Sequence, residues 1–320
     1  MDKFEKEEIL EAMRAVLSDE QYLRLGEVLQ AQMEKVKATA SSEECLKLFQ
    51  TAKKVEGCSE KSLKYYKYVL DAFFKSVEKP VQKITTDDIR QYLEDYLEKS
   101  KAGKVSLDNI RRILSSFFSW LEEEDYIRKN PVKRIHKIKA IKAIKQAYTD
   151  ENIECLKDSC SYLRNQVIIE LLASTGMRVG ELVTLKRSSI DFDNKECIVL
   201  GKGGKQRKVY FDSKTKLHLK NYLASRTDTN ESLFVSLFAP FNTLQISGVE
   251  IMLRKLGKKT NIENVHPHRF RRTLATKAID KGMPVEQVQI LLGHTKIDTT
   301  MHYAIVDQLN VKNSYRRYIG

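Results

Sequence analysis

The chain has 320 residues, room for about two domains, and its 42% hydrophobic and 31% charged residues describe a folded chain and not an extended disordered one. No apolar run approaches the roughly 18–20 residues of a membrane span, and the charged start Met1-Asp-Lys-Phe-Glu-Lys-Glu-Glu lacks a signal-peptide core, so a cytoplasmic location is expected. The net charge is +13 but uneven: residues 1–40 hold nine acids against six bases (−3), leaving +16 on the other 280, an excess that fits a polyanionic partner, either nucleic acid or an anionic membrane surface.

In chain order, residues 4–36 read as two short amphipathic helices. Phe4, Ile9, Met13, Val16 and Leu17 lie on one face of the first; Ser18-Asp19-Glu20 caps the second, which carries Tyr22, Leu25, Leu29 and Met33. After a linker at Lys37 to Ala40, Ser41-x-x-Glu44 forms a capping box that opens a helix to about Val55, stopped by Gly57. Ser59 opens the next, with Leu63, Tyr66, Leu70 and Phe73-Phe74 inward. Thr85-Thr86-Asp87-Asp88 caps a third bearing Ile89, Tyr92, Leu93 and Leu97. Beyond Gly103, Ser106 starts a fourth with Ile110, Leu114, Phe117, Phe118 and Leu121. Four such helices make a bundle of about 90 residues.

Between Arg128 and Lys145 stand eight bases and no acid, with Ile135, Ile138, Ile141 and Ile144 spaced as anchors. A solvated linker is the ordinary explanation of such a run; its place between two folded units favours phosphate tracking. A second domain opens at Thr149 with Asp150 and Glu151 in the first helical turn. The apolar helix through Val167 to Ala173 ends at Thr175-Gly176, and Gly180-Glu181-Leu182 starts another. Glu196 to Leu200 and Arg207 to Phe211 are β-rich runs around Gly201-Lys202-Gly203-Gly204-Lys205, a hairpin signal. Beyond them the pattern is helical, with Pro267 and Pro284 at helix starts and Gly282 and Gly293 at stops. Five cysteines (Cys45, Cys58, Cys155, Cys160, Cys197), odd in number and without a Cys-x-x-Cys pair, argue against a disulfide framework or zinc site.

Singly, the polar residues at these punctuation points are ordinary. His268 and Arg271, three apart, share a helix face; His294 follows a Gly-terminated helix; Arg178 lies between two glycines; Lys202 sits at a hairpin tip; Tyr303 is one of fourteen tyrosines. Together they supply what phosphodiester cleavage needs: donors for the nonbridging oxygens, a nucleophile, and an acid for the departing oxygen. Arginine suits the first role through its permanently charged fork. A phenol with a pKa near 10 attacks best beside such positive charge. No paired carboxylates at metal-site spacing accompany the set, which disfavours a metal-dependent nuclease.

Thr175-Gly176-x-Arg178-x-Gly180-Glu181-Leu182, Gly201-Lys202-Gly203-Gly204-Lys205, Pro267-His268-Arg269-Phe270-Arg271, Leu291-Leu292-Gly293-His294 and Tyr303 resemble, in order and spacing, the catalytic blocks of the tyrosine recombinases of the phage integrase superfamily, most closely its Xer-type and transposon-integrase branch. The resemblance spans about residues 42–310. It implies a mainly α fold with a small β-sheet (α+β), a helical core-binding domain and a catalytic domain. Residues 1–40 would be an N-terminal helical extension, 41–130 the core-binding domain, 131–147 a basic linker, 148–305 the catalytic domain, and 306–320 a tail helix docking in a neighbouring subunit or on its own domain.

The resemblance also implies roles. Arg178 and Arg271 match the pair that clamps the scissile phosphate, and His268 and His294 its supporting donors, His268 being also suited to proton transfer. Lys202 matches the acid for the leaving 5′ oxygen, Tyr303 the nucleophile that forms a 3′-phosphotyrosyl bond, and Glu181 the brace of the first arginine. His266 stands where relatives often carry Ser or Thr and leaves the chemistry untouched; His302 has no assigned role. Lys133, Arg134, Lys137, Lys139, Lys142 and Lys205 are the expected DNA-backbone contacts. The expected partner is double-stranded DNA with a specific site, bound by a homotetramer assembled from monomers, with an accessory protein as a further option and no membrane. No cofactor, metal or ATP is called for, because the phosphotyrosyl ester preserves the bond energy. The setting would be nucleoid-associated and bacterial-type. Rival readings are a type IB topoisomerase-like relaxase, which would relax supercoils without a specific site, and a non-catalytic DNA-binding regulator, which would give no covalent adduct.

Overall fold

A computed structural model of the chain describes residues 3–38, 40–100, 103–139, 146–201, 204, 206–294, 297–301, 315, 316 and 319. The chain divides into two compact units, residues 1–143 and 144–320.

The first unit is helical. α1 (Lys3–Met13) and α2 (Asp19–Ala38) precede four further helices: α3 (Ser42–Val55), α4 (Glu60–Ser76), α5 (Thr86–Ser100) and α6 (Lys104–Glu123). The capping box forms as the sequence predicts: the Ser41 hydroxyl accepts from Glu44 N and the Glu44 carboxylate accepts from Ser41 N. Helix α6 starts two residues before the predicted Ser106, directly after Gly103, and contributes eight buried side chains to the core. Phe117, fully buried, meets Phe49 edge-on at 5.2 Å and Phe74 at 5.8 Å, the arrangement that ring quadrupoles favour.

The basic stretch begins inside this unit. Asn130 accepts from Val132 N at 2.8 Å and starts a short 3-10 turn, Pro131–Arg134, whose Pro131 and Val132 are buried. Ile135 and Ile138 then pack against the same core.

The second unit contains α7 (Asp150–Asp158), α8 (Leu163–Thr175), α9 (Val179–Val183), β1 (Ile190–Asp191), β2 (Glu196–Leu200), β3 (Gln206–Tyr210), α10 (Ser213–Ala224), α11 (Ile246–Thr260), α12 (Pro267–Asp280), α13 (Val285–Leu292) and α14 (Ile297–Met301). The strands form an antiparallel sheet in the order β1-β2-β3, with Cys197 opposite Val209. Helix α8 is buried, with Val167, Ile168, Ile169, Leu171 and Leu172 fully enclosed and the buried Glu170 carboxylate paired with His218; it packs on α7, α10 and α12. Gly176 ends it at φ 59°, where an added Cβ would lie 2.7 Å from Leu274 Cδ2. The pattern beyond Phe211 is less helical than predicted. Residues 226–245 are irregular, because Arg226 donates to the Ser232 and Leu233 carbonyls and Ser232 pairs with Lys186 across a bridge, bonds that a helix there would forgo. Among the described residues, no helix is long and apolar enough to cross a membrane.

Candidate active site

Arg178 occupies the N-cap of α9, just beyond the left-handed turn at Gly176. Glu181, three residues on, is buried and turns back: its Oε2 accepts from Arg178 N at 2.7 Å and its Oε1 from Arg178 Nη1 at 2.8 Å. The same carboxylate is gripped by Arg207 on β3, whose Nη1 and Nη2 donate to Oε1 and Oε2, both at 2.7 Å. Burial alone would push the Glu181 carboxyl up; the Arg207 fork and the Arg178 bonds outweigh it and hold the group below the ordinary carboxylate range.

The arginines converge through the turn after α13. Arg178 Nη2 donates to Gly293 O at 3.2 Å, Arg207 Nε to Leu291 O at 3.0 Å, and Arg271 Nη2 to Leu292 O. Three guanidiniums from distant parts of the chain thus bond three successive carbonyls, and His294 is the next residue. Arg271 also donates to Gly176 O at 2.9 Å, which ties α12 to the end of α8. Gly293, at φ 65°, permits this approach: a Cβ there would stand 2.9 Å from Arg207 Cδ.

His294 feels the cluster. Burial first, then the charges of Arg271 and Arg178, with His268 and Arg207 behind them, push its pKa down to about 4, so the ring is neutral near pH 7. Its Nδ1 lies 2.8 Å from the Thr300 hydroxyl on α14, and its carbonyl accepts from Gln289 Nε2 at 3.0 Å. His268 stands exposed in the first turn of α12, on the helix that carries Arg271. Arg178 is 39% exposed at its side chain, whereas Arg271 is only 1% exposed, so in this state Arg178 and His268 are the accessible donors.

The structure therefore brings together Arg178, Glu181, Arg271 and His294, with His268 close enough to act on His294 electrostatically. Lys202, Lys205, Tyr303, Lys142, His302 and the tail positions Val306, Leu309 and Val311 lie outside the described residues. The flanking Gly204 adopts φ 74° and donates to Gly201 O at 3.2 Å, closing the loop between β2 and β3. Of the expected DNA-backbone contacts, Lys133, Arg134, Lys137 and Lys139 are exposed, and Lys133 Nζ pairs with Glu122 Oε2 at 2.7 Å.

Sequence reasoning missed three participants. Arg207 opens a β-rich run in the sequence and alternates with Val209 and Phe211; a charged residue in the inward register of a strand is the available signal. Thr300 carried no such signal. His266 does more than stand in for Ser or Thr: its Nδ1 accepts from Arg269 N at 3.2 Å and caps α12.

The pattern of the Phage integrase family matches residues 141–309, and that of the phage integrase N-terminal SAM-like domain matches residues 45–128. The chain is 30% identical over 281 residues to tyrosine recombinase XerC of Pediococcus pentosaceus, covering 81% of this chain and 92% of that protein. It is 32% identical over 279 residues to tyrosine recombinase XerC of Staphylococcus aureus, covering 83% and 92%. Among solved structures it resembles the Tn1549 transposon integrase in complex with transposon right end DNA (TM-score 0.72, 18% identity, 86% of this chain and 99% of that one). It also resembles the XerH site-specific recombinase bound to a palindromic difH substrate (TM-score 0.69, 20% identity, 97% and 93%).

Proposed function

The chain belongs to the phage integrase family and is a tyrosine-type site-specific recombinase, and from that premise we propose how its residues divide the work. Arg178 and Arg271 supply the positive potential that receives the scissile phosphate, and His294 and His268 add donors around it. His294, neutral at pH 7, takes the tautomer with its proton on Nε2, so that the Thr300 hydroxyl donates to Nδ1 and Nε2 offers its proton to a nonbridging oxygen. Glu181 and Arg207 fix the Arg178 fork before DNA arrives, so little reorganisation is left for the reaction. Tyr303 attacks phosphorus, the DNA 3′ phosphate becomes esterified to the phenol, and Lys202 gives a proton to the departing 5′ oxygen. A 5′ hydroxyl from another strand reverses the step and restores the phosphodiester.

The observation that carries this reading is the convergence of Arg178, Arg207 and Arg271 on the carbonyls of residues 291–293, directly before His294. Arg178 and Arg207 share the one carboxylate of Glu181, and buried Arg271 bonds the Gly176 and Leu292 carbonyls beside them, so the cluster carries an excess of positive charge, which suits a phosphate. The substrate is duplex DNA with a specific site. Helices of the first unit and the basic stretch, with Lys133, Arg134, Lys137, Lys139 and Lys142, contact its backbone, as does Lys205. On that DNA the protein works as a tetramer in the cytoplasm. Residues 41–130 serve as the core-binding domain and 148–305 as the catalytic domain.

The test is covalent trapping. Wild-type protein is incubated with a library of nicked duplexes of randomised sequence; a nick beside the cleavage point lets the 5′-hydroxyl fragment diffuse away. An adduct that survives denaturation and is enriched for one sequence supports the reading. Relaxation of supercoiled plasmid without sequence enrichment would replace it with a topoisomerase, and sequence-selective binding with no adduct would replace it with a regulator.

A further inference from the structure

Helix α12 has two working faces. One presents His268 and Arg271 to the site. The other grips the segment 146–148, through which the chain enters the second unit. Arg272, 8% exposed, donates from Nη1 to Gln146 O at 3.2 Å, and Arg269 donates from Nη2 to Ala147 O at 3.2 Å. Arg269 also donates to Glu263 O at 2.6 Å, and its guanidinium carbon lies 4.1 Å from the Tyr148 ring centre. Tyr148 is 2% exposed, and its ring centre lies 4.7 Å from that of Phe270 with the rings tilted by 47°. Its backbone N donates to Thr273 Oγ1 at 2.8 Å, and its hydroxyl accepts from His266 N at 3.3 Å. Burial pushes the Tyr148 phenol up to about 12, so it remains a neutral hydroxyl at working pH.

Of the five consecutive α12 residues Arg269 to Thr273, Arg271 alone turns to the site while Arg269, Phe270, Arg272 and Thr273 contact this segment, and Arg271 sits between the two arginines that hold residues 146 and 147. Packing alone would not call for two guanidiniums on main-chain carbonyls beside a cation–π contact, each desolvated at some expense. Arginine used as a fork on carbonyls fixes rotation and register of the helix that carries it, which hydrophobic packing specifies less sharply.

We propose that Arg269, Arg272 and Tyr148 are positioning residues for strand cleavage: they lock α12 in rotation, and so aim Arg271 and His268, by anchoring it to residues 146–148, the end of the basic stretch that joins the two units. The proposal rests on the Tyr303 reading above. It predicts that this anchor acts on the chemical step and not on DNA affinity, because none of the three touches the reacting atoms.

The experiment uses the full-length protein and a nicked duplex of the sequence recovered by trapping. For Arg272→Met, Arg272→Lys, Arg269→Gln and Tyr148→Phe, three quantities are measured: the dissociation constant, the single-turnover rate of adduct formation at saturating protein, and the melting temperature. A displacement of about 1 Å at a reacting group lowers rates by about a hundredfold. Arg272→Met and Arg269→Gln should thus slow adduct formation by about ten- to a hundredfold, with affinity within about twofold of wild type. Arg272→Lys, which keeps one donor to Gln146 O, should recover part of the rate. Tyr148→Phe, which keeps the ring beneath Arg269, should cleave within about threefold of wild type if the cation–π contact dominates. Wild-type rates in both arginine variants would overturn the proposal. So would losses of rate, affinity and melting temperature in proportion, which describe a structural residue only. If wild type forms no adduct on the recovered duplex, the Tyr303 reading fails and the anchor proposal falls with it; if wild type does and the variants match it, the anchor alone fails.

Discussion

Replacing Glu181 by Gln isolates the keystone of the site at nearly constant volume. The carboxylate accepts four hydrogen bonds from Arg178 and Arg207. An amide keeps one acceptor oxygen and turns an NH2 group toward a guanidinium, so about two of the four are lost, each worth about 1.5–3 kcal/mol for a charged partner. That brackets the about 3–5 kcal/mol known for removing one member of a buried ion pair, and we expect about 4 kcal/mol. At about 2–4 °C per kcal/mol for a unit of this size, the melting transition of residues 144–320 should fall by about 8–16 °C. Differential scanning calorimetry of the full chain reads this directly, with the transition of residues 1–143 as an internal control that should not move. Because the cost comes from stranded positive charge, Glu181→Gln with Arg207→Met should be more stable than Glu181→Gln alone, a coupling that only interacting residues give. A fall below about 2 °C, or a double variant that is simply additive, would refute the assignment of Glu181 as the carboxylate that holds both arginines.

Further outcomes follow from the same geometry. Gly176→Ala requires an L-residue at φ 59° and sets a Cβ 2.7 Å from Leu274 Cδ2, so it should destabilise the second unit by at least about 1–2 kcal/mol, read by urea unfolding; an unchanged midpoint would contradict the turn. His294 has its folded pKa lowered to about 4 from an ordinary value near 6.5. The unfolded chain therefore binds more protons between those values, and the associated stability is whole above about pH 6.5 and lost as pH falls toward 4. Unfolding midpoints should drop more steeply over that window in wild type than in His294→Gln, and imidazole NMR should show a titration well below 6.5; equal slopes would show that the cluster does not act on this ring. Phe117→Ala should lower the transition of residues 1–143 by about 3–5 kcal/mol and leave that of residues 144–320 in place, whereas a joint shift would deny the two units independent cores.

The punctuation of the fold was legible because it is local chemistry. Ser41, Ser59 and Thr149 each place an oxygen on an N-terminal amide of the helix they begin, and Gly176 and Gly293 take the positive φ that ends α8 and α13. The order and spacing of the motifs, through their resemblance to a known family, single out Arg178, Glu181, Arg271 and His294; Arg178 caps α9 and His294 follows the Gly293 cap of α13, while Glu181 and Arg271 lie early in α9 and α12. What escaped was set by contacts far apart in the chain. Arg207 looked like one more base in a lysine-rich hairpin until Glu181 was seen beneath it. The stretch after α10 has a helical sequence pattern yet is irregular, because its stabilising bonds, Arg226 to the carbonyls of Ser232 and Leu233, come from a side chain that periodicity does not register. Tyr148 and Arg272 were likewise invisible, because a helix face that grips main-chain carbonyls has no sequence signature.

The central claim is that one phenol near the C-terminus takes the DNA strand onto itself. Mass spectrometry of nuclease-digested adduct from wild-type protein tests it most directly: the account predicts a residual nucleotide joined through its 3′ phosphate to the peptide containing Tyr303, and no adduct at all from Tyr303→Phe. A nucleotide attached to any other residue, or adduct formed undiminished by Tyr303→Phe, would contradict it.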